Sequence, residues 1–189
     1  MFENLNLFLE NIDRNIFFLI NNFNNPYLDQ LMYLISDKYI WIPLYIILIY
    51  FVIKQKNRFK YLQLFLIILA VILSDFVTSS MMKPFFERLR PCHNNEINES
   101  INLVGVCRGM YGFASSHAST TFSLATIMHL FFKKNKIFIY LFIWSIIISY
   151  SRIYLGVHFP LDVLAGSGIG ALVSLSIFES QKIYFKNNV

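Results

Sequence analysis

Five apolar runs divide this chain, at about residues 39–54, 61–82, 116–132, 137–152 and 161–178, and short basic clusters separate several of them. An untilted helix needs about 20 residues to cross a bilayer. The first run reaches that length if it begins near Leu31, and Pro43 near its start is tolerable there. Only 14% of the 189 residues are charged and 56% are hydrophobic, whereas a soluble domain carries about 25% charged residues. The chain is therefore read as all-α, a polytopic transmembrane bundle forming one domain over 1–189. The formal charge of +5 does not point to nucleic acid, because the basic clusters between apolar runs are what membrane topology requires.

Residues 3–24 read as an amphipathic helix lying at the membrane surface. Leu5, Leu7, Phe8, Leu9, Ile12, Ile16, Phe17 and Leu19 recur at roughly helical spacing, while Glu3, Glu10, Asp13 and Arg14 are too many charges for a span. A second short amphipathic helix over 27–37 completes an interfacial segment 1–38, and the bundle occupies 39–182. The start, MFENLNLFLE, lacks the basic residues and small-residue cleavage site of a signal peptide. By the positive-inside rule, Lys54, Lys56, Arg58, Lys60, Lys133, Lys134, Lys136, Lys182 and Lys186 mark the cytoplasmic side. The polar loop 83–114 and the stretch 151–162 then face the periplasm or cell exterior, across a cytoplasmic (inner) membrane. Cys92 and Cys107 both fall in that outer loop. An exported compartment permits a disulfide between them, worth about 3 kcal/mol by loop closure. Two free thiols, or a metal held with His93, are the other readings.

Three polar segments lie on the outer side: KPFFERLRP (83–91), FASSHAS (113–119) and SRIYLGVHFPLD (151–162). Ionisable residues at the edge of membrane spans are functional candidates. Lys83, Arg90 and Arg152 are three cations able to surround one anion, with Arg offering a fork that suits phosphate oxygens. Ser115 stands where a helix N-cap belongs, so the amides of Ser116 and His117 sit at an anion-favouring N-terminus. Pro160 suits a first helical position, which puts Asp162 in the first turn, able to cap it or to reach the His158 ring. A phosphoryl group fits such a site. A histidine backed by a carboxylate is the better nucleophile, so His158 attacks, Asp162 orients it, and His117 is the acid by elimination. No carboxylate cluster suits Mg²⁺, so neither metal nor other cofactor is expected.

These segments resemble the three signature motifs of the type 2 phosphatidic-acid phosphatase family, which is related to vanadium haloperoxidases. Lys83 with Arg90-Pro91 matches the first, and Ser151-Arg152 with His158 and Asp162 matches the third. In the second, Ala114-Ser115-Ser116-His117 stands where the family has Pro-Ser-Gly-His. The resemblance implies a helical bundle with its site at the outward end. It implies phosphate binding by Lys83, Arg90, Arg152, Ser115 and the Ser116 amide, a phosphohistidine on His158 and acid catalysis by His117. It implies a membrane lipid phosphate as substrate: undecaprenyl diphosphate, lipid A phosphate, phosphatidylglycerol phosphate or phosphatidic acid. Phosphotransfer between lipids, and non-catalytic lipid binding by a decayed site, are the competing readings. Oligomeric state is left open.

Other singled-out residues carry plainer expectations. Asp75 is read as pairing with a polar neighbour or Lys83, and Glu87 and Arg88 as solvated loop charges. Tyr154 is read as packing, His129 as structural near the inner face, His93 as a surface residue, and Trp41 with the tyrosines as interfacial belts. Gly166 and Gly170 form a GxxxG, read as a close helix contact within the bundle ahead of dimerisation.

Overall fold

The computed structural model describes residues 2–188. The side chains of Glu3 and Leu5, and the end residues of the 1–189 domain, lie outside the described residues. The helices are α1 Phe2–Asn21, α2 Pro26–Ser36, α3 Ile42–Lys54, α4 Lys60–Phe76, α5 Lys83–Phe86, α6 Ser116–Phe131, α7 Tyr140–Tyr154 and α8 Pro160–Asn188, with no strand among the described residues. Asn25 starts α2 by accepting from the amides of Tyr27 and Leu28 (3.1 and 3.0 Å), as an N-cap does. A π-helical segment, Val77–Met82, joins α4 to α5. Such insertions re-aim side chains and are frequent at functional sites; here Lys83 follows directly.

α6 is the centre of the bundle, packed against α8, α4 and α7. Ala118, Ser119, Ser123, Ala125, Ile127 and Met128 are all buried. Small residues let backbones approach, and the α6–α8 seam is made of them: Ser174 Oγ donates to the Ser123 carbonyl at 2.9 Å. The GxxxG faces this seam. A Cβ added at Gly166 or Gly170 would stand 2.3 or 2.0 Å from the carbonyl oxygens of Ser115 and Ser119. It is an internal helix contact.

The large apolar side chains left outside, among them Ile46, Ile47, Phe65, Ile72, Ile146 and Leu172, form a surface that suits lipid and not water. The protein is integral to a membrane. Three helical stretches, Lys60–Phe86, Lys136–Tyr154 and Pro160–Tyr184, are long and apolar enough to cross one. Pro26–Ser36 and Lys38–Lys54, bent by 60° at their junction, pass the same test only when taken together. The run 116–132 is α6, whose 16 residues are buried or half-buried among the other helices.

Candidate active site

Pairing inside the outer loop brings the end of the first segment beside the residues that lead into the second. The amide of Arg90 donates to the Met110 carbonyl (3.1 Å) and that of Gly112 to the Arg88 carbonyl (2.8 Å), around a Leu89–Tyr111 bridge. Cys92 and Cys107 close this loop as a disulfide, with Cα atoms 6.4 Å apart. Among the described residues, these cysteines and His93 are the grouping of three metal-capable side chains. Their sulfurs are bonded to each other, so they do not offer two thiolates.

The fully buried His158 lies between Arg90 and Asp162. Arg90 Nη1 is 3.0 Å from His158 Nε2, and it also donates to the Val157 carbonyl at 3.0 Å. A guanidinium has donors only, so Nε2 carries the lone pair and Nδ1 carries the proton. Nδ1 is 3.3 Å from Asp162 Oδ2. Oδ2 accepts from the Phe159 amide as well, at 3.0 Å. One carboxylate oxygen thus caps the helix and orients the histidine, two roles the sequence offered as alternatives. A neutral histidine with its Nδ1 proton held by a carboxylate is an activated nucleophile at Nε2.

The second segment completes the ring. Ser115 has N-cap backbone geometry but makes no capping bond with its side chain. Its amide donates instead to the Asp162 carbonyl (2.9 Å), which fastens the start of α6 to the start of α8. Its hydroxyl is buried and unpaired. Lys83 Nζ donates to Ser116 Oγ at 2.9 Å, and Ser79 Oγ lies 2.8 Å from the same hydroxyl. Arg152 reaches Ser36 at the end of α2, while its Nε, like Arg90 Nε, is buried without a partner. Unsatisfied buried donors are costly, and these three lie on the segments that carry or contact His158: Arg90 touches its ring, Arg152 is on the same segment, and Ser115 is tied to Asp162. His117, in the first turn of α6, lies within electrostatic reach of Arg152, His158, Lys83 and Arg90.

His117 and Ser116 also line a cleft of about 300 Å³ with Ser36, Lys38 and Asp75. An apolar groove of about 520 Å³ shares Lys38, Tyr45, Asp75, Thr120 and Thr121 with it and runs on past Leu48, Ile68, Ile72, Leu124 and Met128. The site therefore opens onto a greasy channel between α3, α4 and α6.

The sequence matches the PAP2 superfamily over residues 61–185. This chain belongs to that superfamily. It is 35% identical over 172 residues to the lipid A 4'-phosphatase of Porphyromonas gingivalis, covering 89% of this chain and 72% of that protein. It is 32% identical to the lipid A 4'-phosphatase of Bacteroides thetaiotaomicron, covering 86% and 74%. The crystal structure of Aquifex aeolicus LpxE superposes with a TM-score of 0.70 at 30% identity, covering 87% of this chain and 93% of that one. The chain is a membrane lipid phosphatase of the PAP2 type.

In this PAP2 phosphatase the structure corrects one expectation. Arg88 is no solvated loop charge: it bridges two buried carboxylates, Asp13 and Asp162. Residues 88–90 are extended, so Arg88 and Arg90 share a face, one reaching Asp162 and the other His158. That alternation, Arg-Leu-Arg, was the available signal. Gly112 was also missed: a Cβ there would meet Asp162 Oδ2 at 2.8 Å. Asp75 accepts from Ser79 Oγ (3.1 Å), the polar neighbour of the expected pairing. Tyr154 is buried and donates to Asp29 at 2.7 Å, consistent with packing. Glu87 is exposed.

Burial, with the charges of Arg90, Arg152 and Lys83, pushes the His158 ring well below the ordinary histidine value. The folded protein then binds fewer protons than the unfolded chain as pH drops below about 6.5, so stability falls with pH through that window. Thermal melts from pH 7 down to 5 are expected to show a steeper loss of Tm in the parent than in a His158→Gln variant, which has no ring to protonate.

Proposed function

We propose that the protein removes a phosphate monoester from a lipid A-type glycolipid at the outer surface of the cytoplasmic membrane. The observation that carries this reading is that Arg90 Nε, Arg152 Nε and Ser115 Oγ are all buried and unpaired, on the segments that meet around a histidine whose Nε2 lone pair is fixed by its neighbours. In the proposed reaction Nε2 of His158 attacks phosphorus and the bond from phosphorus to the sugar oxygen breaks. Lys83, Arg90 and Arg152 neutralise the equatorial oxygens, and preorganised charge of this kind supplies most of the catalysis. His117 gives a proton to the departing oxygen. Water, deprotonated by His117, then attacks the phosphohistidine and releases phosphate, restoring both rings. Asp162 holds the Nδ1 proton throughout.

Support for a lipid comes from the apolar groove that leaves the site, which suits acyl chains and leaves the phosphate at headgroup depth. Support for lipid A comes from the two bacterial relatives named for it. Support for the outward orientation comes from the basic clusters 54–60 and 133–136, which sit at the helix ends away from the site. The test is phosphate release by purified protein from lipid A, undecaprenyl diphosphate, phosphatidylglycerol phosphate and phosphatidic acid, in EDTA. Lipid A is expected to give the highest kcat/KM, with mass spectrometry showing loss of one phosphate. A higher value for another lipid replaces the substrate; a phosphorylated acceptor in place of free phosphate replaces hydrolysis with transfer.

A further inference from the structure

The N-terminal helix buries an unexpected face. Among the described residues of α1, those buried are Asp13, Phe17 and Asn21, each four apart and so on one side of the helix. Its larger apolar residues, including Leu7, Phe8 and Leu19, point outward. Two of the three inward residues are therefore polar, and each finds a partner on the segment that carries His158. Asn21 Nδ2 donates to the Tyr154 carbonyl at 2.8 Å, where α7 ends. Asp13 Oδ1 accepts from the Leu161 amide at 2.8 Å, where α8 begins. α1 is strapped across the 155–160 turn at both of its ends.

Asp13 does more than cap. Its Oδ2 takes Nη2 of Arg88, whose Nη1 donates to Asp162 Oδ1 at 2.7 Å. Both carboxylate side chains are fully buried, while Arg88 is 26% exposed. The guanidinium lies over the Phe159 ring, 4.6 Å from its centroid, so its plane is fixed by stacking as well as by two carboxylates. A buried carboxylate without a partner is strongly disfavoured; here one arginine fork satisfies two. The consequence for Asp162 is directional. With Oδ1 held by Arg88, Oδ2 is left facing His158 Nδ1.

We propose that Arg88 and Asp13 are positioning residues for the phosphatase reaction, Arg88 aiming the Asp162 carboxylate at His158 and Asp13 aiming Arg88. α1 is then part of the catalytic apparatus as well as a membrane-surface element. The inference rests on the reading of His158 as nucleophile, and the experiment separates the two.

Arg88→Ala, Arg88→Lys, Asp13→Asn, the Arg88→Ala/Asp13→Asn double variant and His158→Ala are purified in detergent. Turnover of lipid A, and of phosphatidic acid in parallel, is measured in mixed micelles with Tm recorded for each. Residues that orient a reacting ligand typically cost 10–100-fold when removed. Arg88→Ala is expected to lower kcat about 100-fold, and Asp13→Asn about 10-fold, with KM unchanged. Arg88→Lys recovers part of the loss, since it returns the charge without the fork. The double variant is no worse than Arg88→Ala alone, because Asp13 acts through Arg88. Asp13→Asn keeps an oxygen for the Leu161 amide, so it decides the matter if Arg88→Ala does not fold. Parental kcat in folded Asp13→Asn and Arg88→Ala, a loss confined to KM, or additive losses in the double variant each overturn the inference while His158→Ala stays dead. Activity retained by His158→Ala overturns instead the reading on which it rests.

Discussion

His158→Ala is expected to abolish phosphate release, by about four orders of magnitude or more, with the fold retained. The ring lies between Arg90 and Asp162, and each neighbour fixes one nitrogen. Arg90 can only donate, so the lone pair belongs to Nε2 and the nucleophile is already in its reactive tautomer. Among the described serines of the site, Ser115 Oγ has no partner to take its proton, and the Ser116 hydroxyl is engaged by Lys83 and Ser79. The parent, quenched during turnover of radiolabelled lipid phosphate, is expected to carry label on the His158 peptide, and His158→Ala none. Asp162→Asn is expected to fall by about 10⁴-fold with the ring still present, as happens when a histidine's orienting carboxylate is replaced and the tautomer is lost. Phosphate release by folded His158→Ala at a rate near the parent's would remove the phosphohistidine from the mechanism and leave the cation cluster as a binding site.

The charged residues that line this site were legible because their spacing is local. Lys83 and Arg90, or Arg152, His158 and Asp162, fall within one turn or one loop of each other, and spacing alone proposes that they meet. Arg88 was misread for the opposite reason: its partners lie 75 and 74 positions away in the chain, and only bundle packing brings them to it. The same holds for Ser36, 116 positions from Arg152. α1 was legible as amphipathic, but not which face turns inward. Asp13 counted against a span in the sequence, yet it is buried because α8 and Arg88 offer it an amide and a guanidinium. α6 was read as a span like the others; its serines and threonines suit a helix wrapped by protein, where hydroxyls bond to neighbouring backbone.

Gly170→Val is expected to yield no stably folded protein, and the reason lies in how closely α8 approaches α6. A Cβ at Gly170 would stand 2.0 Å from the Ser119 carbonyl oxygen and 3.0 Å from the Ser123 amide nitrogen. These are backbone atoms of the central helix, and they cannot swing aside as a side-chain tip would. Ordinary contacts between heavy atoms lie near 3.5–4.0 Å, so the two helices would have to part by about an ångström or more. Overpacking in well-fitted cores typically costs about 1–3 kcal/mol and sometimes more; here the seam also loses the Ser123–Ser174 bonds. Gly166→Ala tests the catalytic end of the same seam. Its Cβ would meet the Ser115 carbonyl oxygen at 2.3 Å and the Ser115 amide nitrogen at 3.2 Å. That amide is the one bonded to the Asp162 backbone carbonyl, so a shift there disturbs the backbone of the residue whose carboxylate orients His158. A loss of kcat larger than the fall in Tm accounts for is expected. Gly168, between them, is the control: nothing lies within 4 Å of its Cβ position. Gly168→Ala should stabilise the helix by up to about 1 kcal/mol through propensity alone. A dimer built on the GxxxG would instead leave monomer stability intact in Gly170→Val and change the sedimentation behaviour in detergent, an outcome that would contradict the internal seam.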